Sequence, residues 1–286
     1  MVGYLTRLMQ DKELESLVEN KTIVIKLGGS MLSEQKETMS DIVALSLAGA
    51  RVIVVHGGGP AINKALAENG VPTTKVEGMR VTDDVVLPVV ASVLTGLNGD
   101  IVGALGSLGL LAEGVTPQQN SALNAQKHFG TTKEGAPVDI GWVGQVSSIN
   151  KSVFFDVMTE GGIPVVAPLG TDASGQMYNI NADVAAAAVA ASVNADMLML
   201  ITDVPGVLAD PNDPSSLMHT LTAGKMKELM ASGVITGGMI PKLAGCVSAL
   251  ERGVKQVHIM DGHGDRPLVT ALLKPESSGT RIIQVD

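Results

Sequence analysis

Two lysines and an aspartate define the chemistry open to this chain. Lys26 lies in Ile25-Lys26-Leu27-Gly28-Gly29-Ser30, where a β-branched run delivers a cation to its end and glycines follow at once. Glycine lets backbone N–H groups approach phosphate oxygens with no side chain in the way. A tight turn carrying a surface lysine is the plain alternative for this segment alone. Lys242 ends Thr236-Gly237-Gly238-Met239-Ile240-Pro241-Lys242, a glycine pair leading to a lysine at a helix start. Asp183 lies in Tyr178-Asn179-Ile180-Asn181-Ala182-Asp183, in the first turn of an expected alanine-rich helix. A carboxylate there favours the helix dipole, and Asn181 is the expected cap. From that turn Asp183 could also bridge two lysines and hold them in place.

Further segments carry ligand-binding character. Val55-His56-Gly57-Gly58-Gly59-Pro60 closes one strand and opens a helix, and the free N–H groups of a helix start form an anion site. Three consecutive glycines lose much chain entropy on folding, so a ligand contact explains them better than a structural turn. His56 by itself reads as a packed or capping histidine. Gly78-Met79-Arg80-Val81-Thr82-Asp83 places Arg80 just before a helix capped by Thr82 or Asp83, its fork free for a carboxylate. Taken alone, Arg80 is equally a surface arginine. Thr202-Asp203-Val204-Pro205-Gly206-Val207-Leu208 is a strand-end turn suited to a nucleotide edge. The G-x-x-x-x-G-K-[ST] and G-x-G-x-x-G loops and the G-x-S-x-G elbow are absent. The five histidines show no metal-ligand spacing beyond an incidental pair, His258 and His263, and no metal site is expected.

The elements that must position these residues alternate. Apolar runs of buried-strand length cover 22–27, 51–55, 163–167, 197–201 and 256–260. Helical patterns cover about 38–48, 61–69, 84–105, 151–160, 182–192, 222–231 and 243–252. This order predicts an α/β fold, a mainly parallel sheet covered on both faces, with ligands at the carboxyl ends of the strands. The glycine clusters fall at those ends. Residues 112–141 break the pattern and read as a long surface loop or hairpin, with a strand at 142–146; 209–216 reads as an exposed loop. Residues 1–20 read as an amphipathic helix that packs on its own domain or on another subunit.

Bulk composition narrows the classes. In 286 residues, 45% are hydrophobic and only 2% aromatic, so the core must be built from Ala, Val, Leu, Ile and Met. A net charge of −9 argues against broad nucleic-acid binding but leaves room for a cationic cleft. The single cysteine, Cys246, excludes a disulfide framework within the chain and fits a reducing compartment. Neither a signal peptide nor an unbroken apolar run of membrane-spanning length is read, so a cytoplasmic protein without a membrane partner is expected.

Taken in order, IKLGGS at 25–30, VHGGGPAIN at 55–63, GMRVTDD at 78–84, YNINAD at 178–183, ITDVPGVL at 201–208 and ITGGMIPK at 235–242 resemble the amino-acid kinase family. The resemblance runs from about residue 22 to the end. It implies an open αβα sandwich of two lobes, 21–180 for the amino-acid substrate and 181–286 for the nucleotide, after a helical extension at 1–20. It implies transfer of the ATP γ-phosphoryl group, with Mg²⁺, to the side-chain carboxylate of N-acetyl-L-glutamate, and a homodimer or higher homo-oligomer. Lys26 and Lys242 match the lysines that stabilise the transferring group, and Asp183 the carboxylate that organises them. Gly58, Gly59, Arg80 and Asn179 match the amino-acid site. Gly28 and Gly29 match the phosphate path, and Asp203, Val204, Gly206, Val207, Leu208, Val234, Ile235 and Thr236 the nucleotide site. Two departures stand out: 106–135 lacks the family's serine-glycine-aspartate-glycine stretch, and Gly99 replaces a common lysine. A sister kinase acting on another carboxylate, such as an aminoadipate derivative, and a non-catalytic amino-acid or nucleotide sensor are the alternatives.

Overall fold

The computed structural model describes residues 12–29, 36–132, 135–210, 212–233, 235 and 239–284. The first half of the chain forms α1 (Lys12–Val18), β1 (Thr22–Leu27), α2 (Lys36–Leu47), β2 (Arg51–His56), α3 (Gly59–Glu68), β3 (Lys75–Val76), β4 (Met79–Arg80), α4 (Val86–Ser107), β5 (Ala112–Val115), β6 (Leu123–Thr131) and β7 (Pro137–Ile149). The second half forms α5 (Ser152–Thr159), β8 (Ile163–Val166), β9 (Leu169–Thr171), β10 (Met177–Ile180), α6 (Ala182–Ser192), β11 (Met197–Thr202), β12 (Thr220–Thr222), α7 (Ala223–Ala231), α8 (Met239–Glu251), β13 (Gln256–Asp261), α9 (Pro267–Leu273) and β14 (Thr280–Ile283).

Eight strands make one sheet in the order β12-β14-β13-β11-β1-β2-β8-β5. Its pairings are parallel except β13 with β14. The expected mainly parallel α/β sandwich is therefore observed. β1 lies in the middle, with Lys26 beside Leu200 on one side and Val55 on the other. Parallel pairing brings the carboxyl ends of β1, β2 and β11 to the same edge, so the segments after Leu27, His56 and Thr202 converge there. The sheet is continuous across residue 180, the expected lobe boundary.

The two faces of the sheet bury different partners. Ile23, Ile25 and Leu27 of β1 join a core with α1, α2 and α9, while Val24 joins the core with α6 and α8 on the opposite face. The period of two thus sends Lys26 to the α6 side. On α6, Ala185, Ala186, Ala187, Ala188, Val189, Ala190 and Ala191 are all buried. Small side chains let this helix approach both the sheet and α8 closely, where a Cβ at Gly245 would stand 4.0 Å from that of Ala187. The described end of the N-terminal extension packs on its own domain: Leu14 and Val18 are fully buried beside α2 and α9. Residues 1–11 lie outside the described residues.

Three readings need correction. Residues 112–115 are a strand, β5, which pairs with β8 at the sheet edge. Its sequence, Ala-Glu-Gly-Val, has little intrinsic strand preference, and pairing with β8 decides its state. Residues 123–149 form the hairpin β6–β7, whose second strand is far longer than 142–146. With β9 and β10 these strands close a small barrel. Finally, α4 is, by length and composition, a helix able to cross a membrane. Thr95, Asn98 and Asp100 interrupt its apolar run, which is why no uninterrupted stretch stood out. Its stripe Val86, Val90, Leu94, Asn98, Ile101 and Leu105 is buried against the rest of the fold.

Candidate active site

Lys26, at the end of β1, forms an ion pair with Asp183 Oδ1 at 2.9 Å. Asp183 is held in place by its helix. Asn181 Oδ1 accepts the N–H groups of Asp183 and Val184 at 2.9 and 3.2 Å, the expected cap. Lys242 arrives from α8, which starts one turn earlier than the apolar pattern indicated, and Nζ donates to Thr202 Oγ1 at 2.6 Å. Thr202 Oγ1 donates in turn to Asp203 Oδ1 at 3.0 Å. Burial pulls the Lys242 ammonium below its ordinary pKa, and Lys26 adds to this; Asp183 and Asp203 oppose it. The hydrogen bond from Thr202 holds the Asp203 carboxyl below the usual range, with help from Lys242 and Lys26. Two lysines thus converge on one carboxylate, which offsets their repulsion.

The phosphate-type turns pack backbone against backbone. A Cβ at Gly29 would stand 2.6 Å from Gly59 N and 2.8 Å from Gly58 N, so no side chain fits between the ends of β1 and β2. His56 sits beneath this contact, fully buried. Nδ1 lies 2.9 Å from Gly57 O, and Nε2 lies 3.2 Å from Asn98 Nδ2, which also donates to Val165 O at 2.8 Å. Both contacts are met by a neutral ring with its proton on Nδ1. Burial lowers the His56 pKa to about 4, against the hydrogen bond to Gly57 O. His56 is therefore a packed histidine that braces the glycine turn. Asn98 was missed by sequence reasoning; an amide inside an apolar helix face was the available signal.

Arg80 is buried, donating from Nη1 to Thr73 Oγ1 and from Nη2 to Asn63 Oδ1. Asn179 Nδ2 donates to Thr82 Oγ1 at 3.1 Å, and Thr82 Oγ1 donates to Arg80 O at 2.8 Å. Asp83, one of the two expected caps, accepts the N–H groups of Val85 and Val86. The β6–β7 hairpin grips this segment: Trp142 N–H donates to Thr82 O at 2.6 Å, and its indole N–H donates to Asp84 Oδ1 at 2.6 Å.

One pocket of about 400 Å³ joins these groups. Lys26, Gly28, Gly29, Gly58, Gly59, Arg80, Asn179, Asp183, Asp203 and Lys242 all line it, together with Lys75 and Thr202, which the sequence reading did not select. Val204, Gly206, Val207, Leu208 and Ile235 do not. Gly206, Val207 and Ile235 are buried, and Val207 N–H donates to Thr280 Oγ1 at 2.8 Å. Val234 and Thr236 lie outside the described residues. His258 and His263 are separate: His258 is buried, and His263 contacts Asp261 at 2.6 Å.

A family model described as amino acid kinase family matches residues 21–261. The chain belongs to the amino acid kinase family. Among curated relatives, the acetylglutamate kinase of Symbiobacterium thermophilum is 40% identical over 92% of this chain and 92% of its own. Among solved structures, smu.665 of Streptococcus mutans superposes with a TM-score of 0.77 at 33% identity, covering 92% of this chain and 99% of that one. The N-acetylglutamate synthase of Neisseria gonorrhoeae, complexed with coenzyme A and N-acetyl-glutamate, has a TM-score of 0.84 at 23% identity. This chain spans 64% of that synthase, and the likeness is one of fold.

Proposed function

We propose that this amino acid kinase transfers the γ-phosphoryl group of ATP to the side-chain carboxylate of N-acetyl-L-glutamate, in arginine biosynthesis and in the cytoplasm. The observation that carries the reading is the convergence of Lys26 and Lys242 on Asp183 beside the Gly29–Gly58–Gly59 backbone contact. The kinship to acetylglutamate kinases supplies the substrate.

A carboxylate with a reference pKa of about 4.3 is already ionised at neutral pH, so the reaction needs no general base. Its oxygen attacks the γ-phosphorus, the bond to the β,γ-bridging oxygen breaks, and ADP departs with the electron pair. The difficulty is bringing an anion to a polyanion, so neutralisation and in-line positioning supply most of the catalysis. Lys26 and Lys242 supply positive charge to the transferring group. Asp183 keeps them in place. Gly28 and Gly29 line the phosphate path; Gly58, Gly59, Arg80 and Asn179 hold the amino acid, with Arg80 on a carboxylate. Asp203, Val204, Gly206, Val207 and Leu208, with Val234, Ile235 and Thr236, form the nucleotide side. Residues 21–180 then serve the amino acid and 181–286 the nucleotide.

Bound with ATP, Mg²⁺ would supply neutralisation of the triphosphate charge, and such an ion would be held on the protein side by one or two carboxylates. Among the described residues, Asp183 and Asp203 are the acidic side chains that line the pocket. With Asp183 engaged by Lys26, Asp203 is the one that would hold the metal.

A homo-oligomer is part of the reading. Gly96, Gly99, Gly103 and Gly106 leave open space along the exposed face of α4, where a second copy could pack closely. Light scattering that finds only monomer at working concentration would remove this part.

The test is ADP release with Mg²⁺ and ATP across N-acetylglutamate, N-acetylaspartate, glutamate, aspartate and aminoadipate derivatives, with Lys26→Ala as control. Turnover on N-acetylglutamate that the substitution abolishes is expected. Turnover only on another acid would keep the kinase and change its substrate. Binding of ATP with no turnover on any acid would favour a sensor.

A further inference from the structure

The β3–β4 hairpin carries a charge pattern that a sheet normally avoids. Its two-residue turn, Glu77 and Gly78, has φ values of 49° and 81°, the positive pair that a tight type I′ connection requires. That turn sets Lys75 directly opposite Arg80. Val81 N–H donates to Thr74 O at 3.0 Å, which makes 75/80 a non-hydrogen-bonded pair. In such pairs the Cα atoms are about 4.5 Å apart and the two side chains share one face at their closest. Like charges placed directly opposite destabilise a ladder. Both residues line the pocket, and among the described residues neither is ion-paired with a carboxylate.

The surroundings show what the pair lacks. Arg80 gives one N–H to Thr73 and one to Asn63, both neutral, and a guanidinium has five. Among the described residues that line the pocket, the acidic side chains are Asp183, paired with Lys26, and Asp203, bonded by Thr202, and neither is paired with Lys75 or Arg80. The hairpin is also tied down, since Glu77 Oε2 accepts the N–H of Thr131 at 2.8 Å. The pocket therefore has two cationic poles. One is the lysine pair at the ends of β1 and α8, and the other is the Lys75/Arg80 pair.

We propose that Lys75 is a second anchor, beside Arg80, for the non-reacting carboxylate of the amino-acid substrate, and that it sets a preference for dicarboxylates. This rests on the reading of the pocket as the site of an amino-acid carboxylate kinase. The anion relieves the repulsion between the two cations and takes donors from both. A substrate whose second carboxylate is an amide leaves that repulsion in place.

Steady-state kinetics at saturating ATP and Mg²⁺ test this with N-acetylglutamate and its α-carboxamide, comparing wild type, Lys75→Met and Lys75→Arg. For Lys75→Met the KM for N-acetylglutamate should rise about tenfold or more, as expected for the loss of one charged contact. Its kcat should stay within about threefold, and KM for the α-carboxamide should change by less than about threefold. Lys75→Arg should restore most of the dicarboxylate preference. Equal shifts for both substrates, or no shift, would overturn the role of Lys75 while leaving the kinase reading intact. A wild type inactive on N-acetylglutamate would overturn the underlying reading and this role with it.

Discussion

Gly29→Ala is the sharpest test of how the two glycine turns work together. Gly29 does not adopt a positive φ, so alanine is conformationally acceptable there. The obstacle is contact: the new methyl would meet Gly59 N at 2.6 Å, Gly58 N at 2.8 Å and Gly58 C at 3.1 Å. All three atoms are backbone, so no side chain can rotate away. Restoring the tightest contact to 3.4 Å requires the turns to part by about 0.8 Å. A misplacement of about 1 Å can cost about a hundredfold in rate when positioning carries the catalysis. With Gly29 on the proposed phosphate path and Gly58 and Gly59 on the proposed acceptor side, the methyl would separate the two reactants directly. We expect kcat/KM for N-acetylglutamate to fall by about a hundredfold, mostly in kcat, with a thermal midpoint lowered by only a few degrees. Coupled ADP-release kinetics and a melting curve on the same preparation measure both. Activity within about threefold of wild type would refute the idea that this backbone contact sets the reacting distance.

Asp183→Asn should reduce kcat by at least about a hundredfold, because a neutral amide cannot offset the repulsion between Lys26 and Lys242; single-turnover kinetics would read it. Asn98→Leu leaves Val165 O and His56 Nε2 buried without their donor, at a cost of about 1–3 kcal/mol visible in the urea midpoint. Acid stability follows from His56 and His258, both held at about 4, chiefly by burial. The unfolded chain binds a proton at each below about 6.5 while the folded chain waits until about 4, so stability is full above that window and falls as pH drops through it. Asp41 acts oppositely: burial raises its pKa to about 7, against bonds from Val269 and Leu268 and the charge of Arg266, so stability falls as pH rises from about 4 to 7. Urea midpoints at several pH values should show a flatter acid limb for His258→Leu.

The parallel α/β architecture was legible because β1, β2, β8, β11 and β13 are apolar runs buried on both faces, a signal local in sequence. The glycine clusters could be placed at strand ends for the same reason. Asn181 and Asp83 were legible as caps because capping acts within three residues. β5 and the extent of the β6–β7 hairpin were not, since Ala112–Val115 has weak strand preference and gains its state from β8.

By itself the sequence determined which chemical groups exist and which short elements carry them: a lysine ending β1, a capped carboxylate opening α6, and glycines where only bare backbone fits. Tertiary structure alone decided what they do together. Parallel pairing of β1 with β2 and β11 brought three strand ends to one edge, and the small residues of α6 let α8 bring Lys242 to the same pocket as Asp183. The Asn98–His56 brace likewise depends on packing between distant segments. Such contacts arise from the closing of long loops, and no local pattern along the chain encodes them.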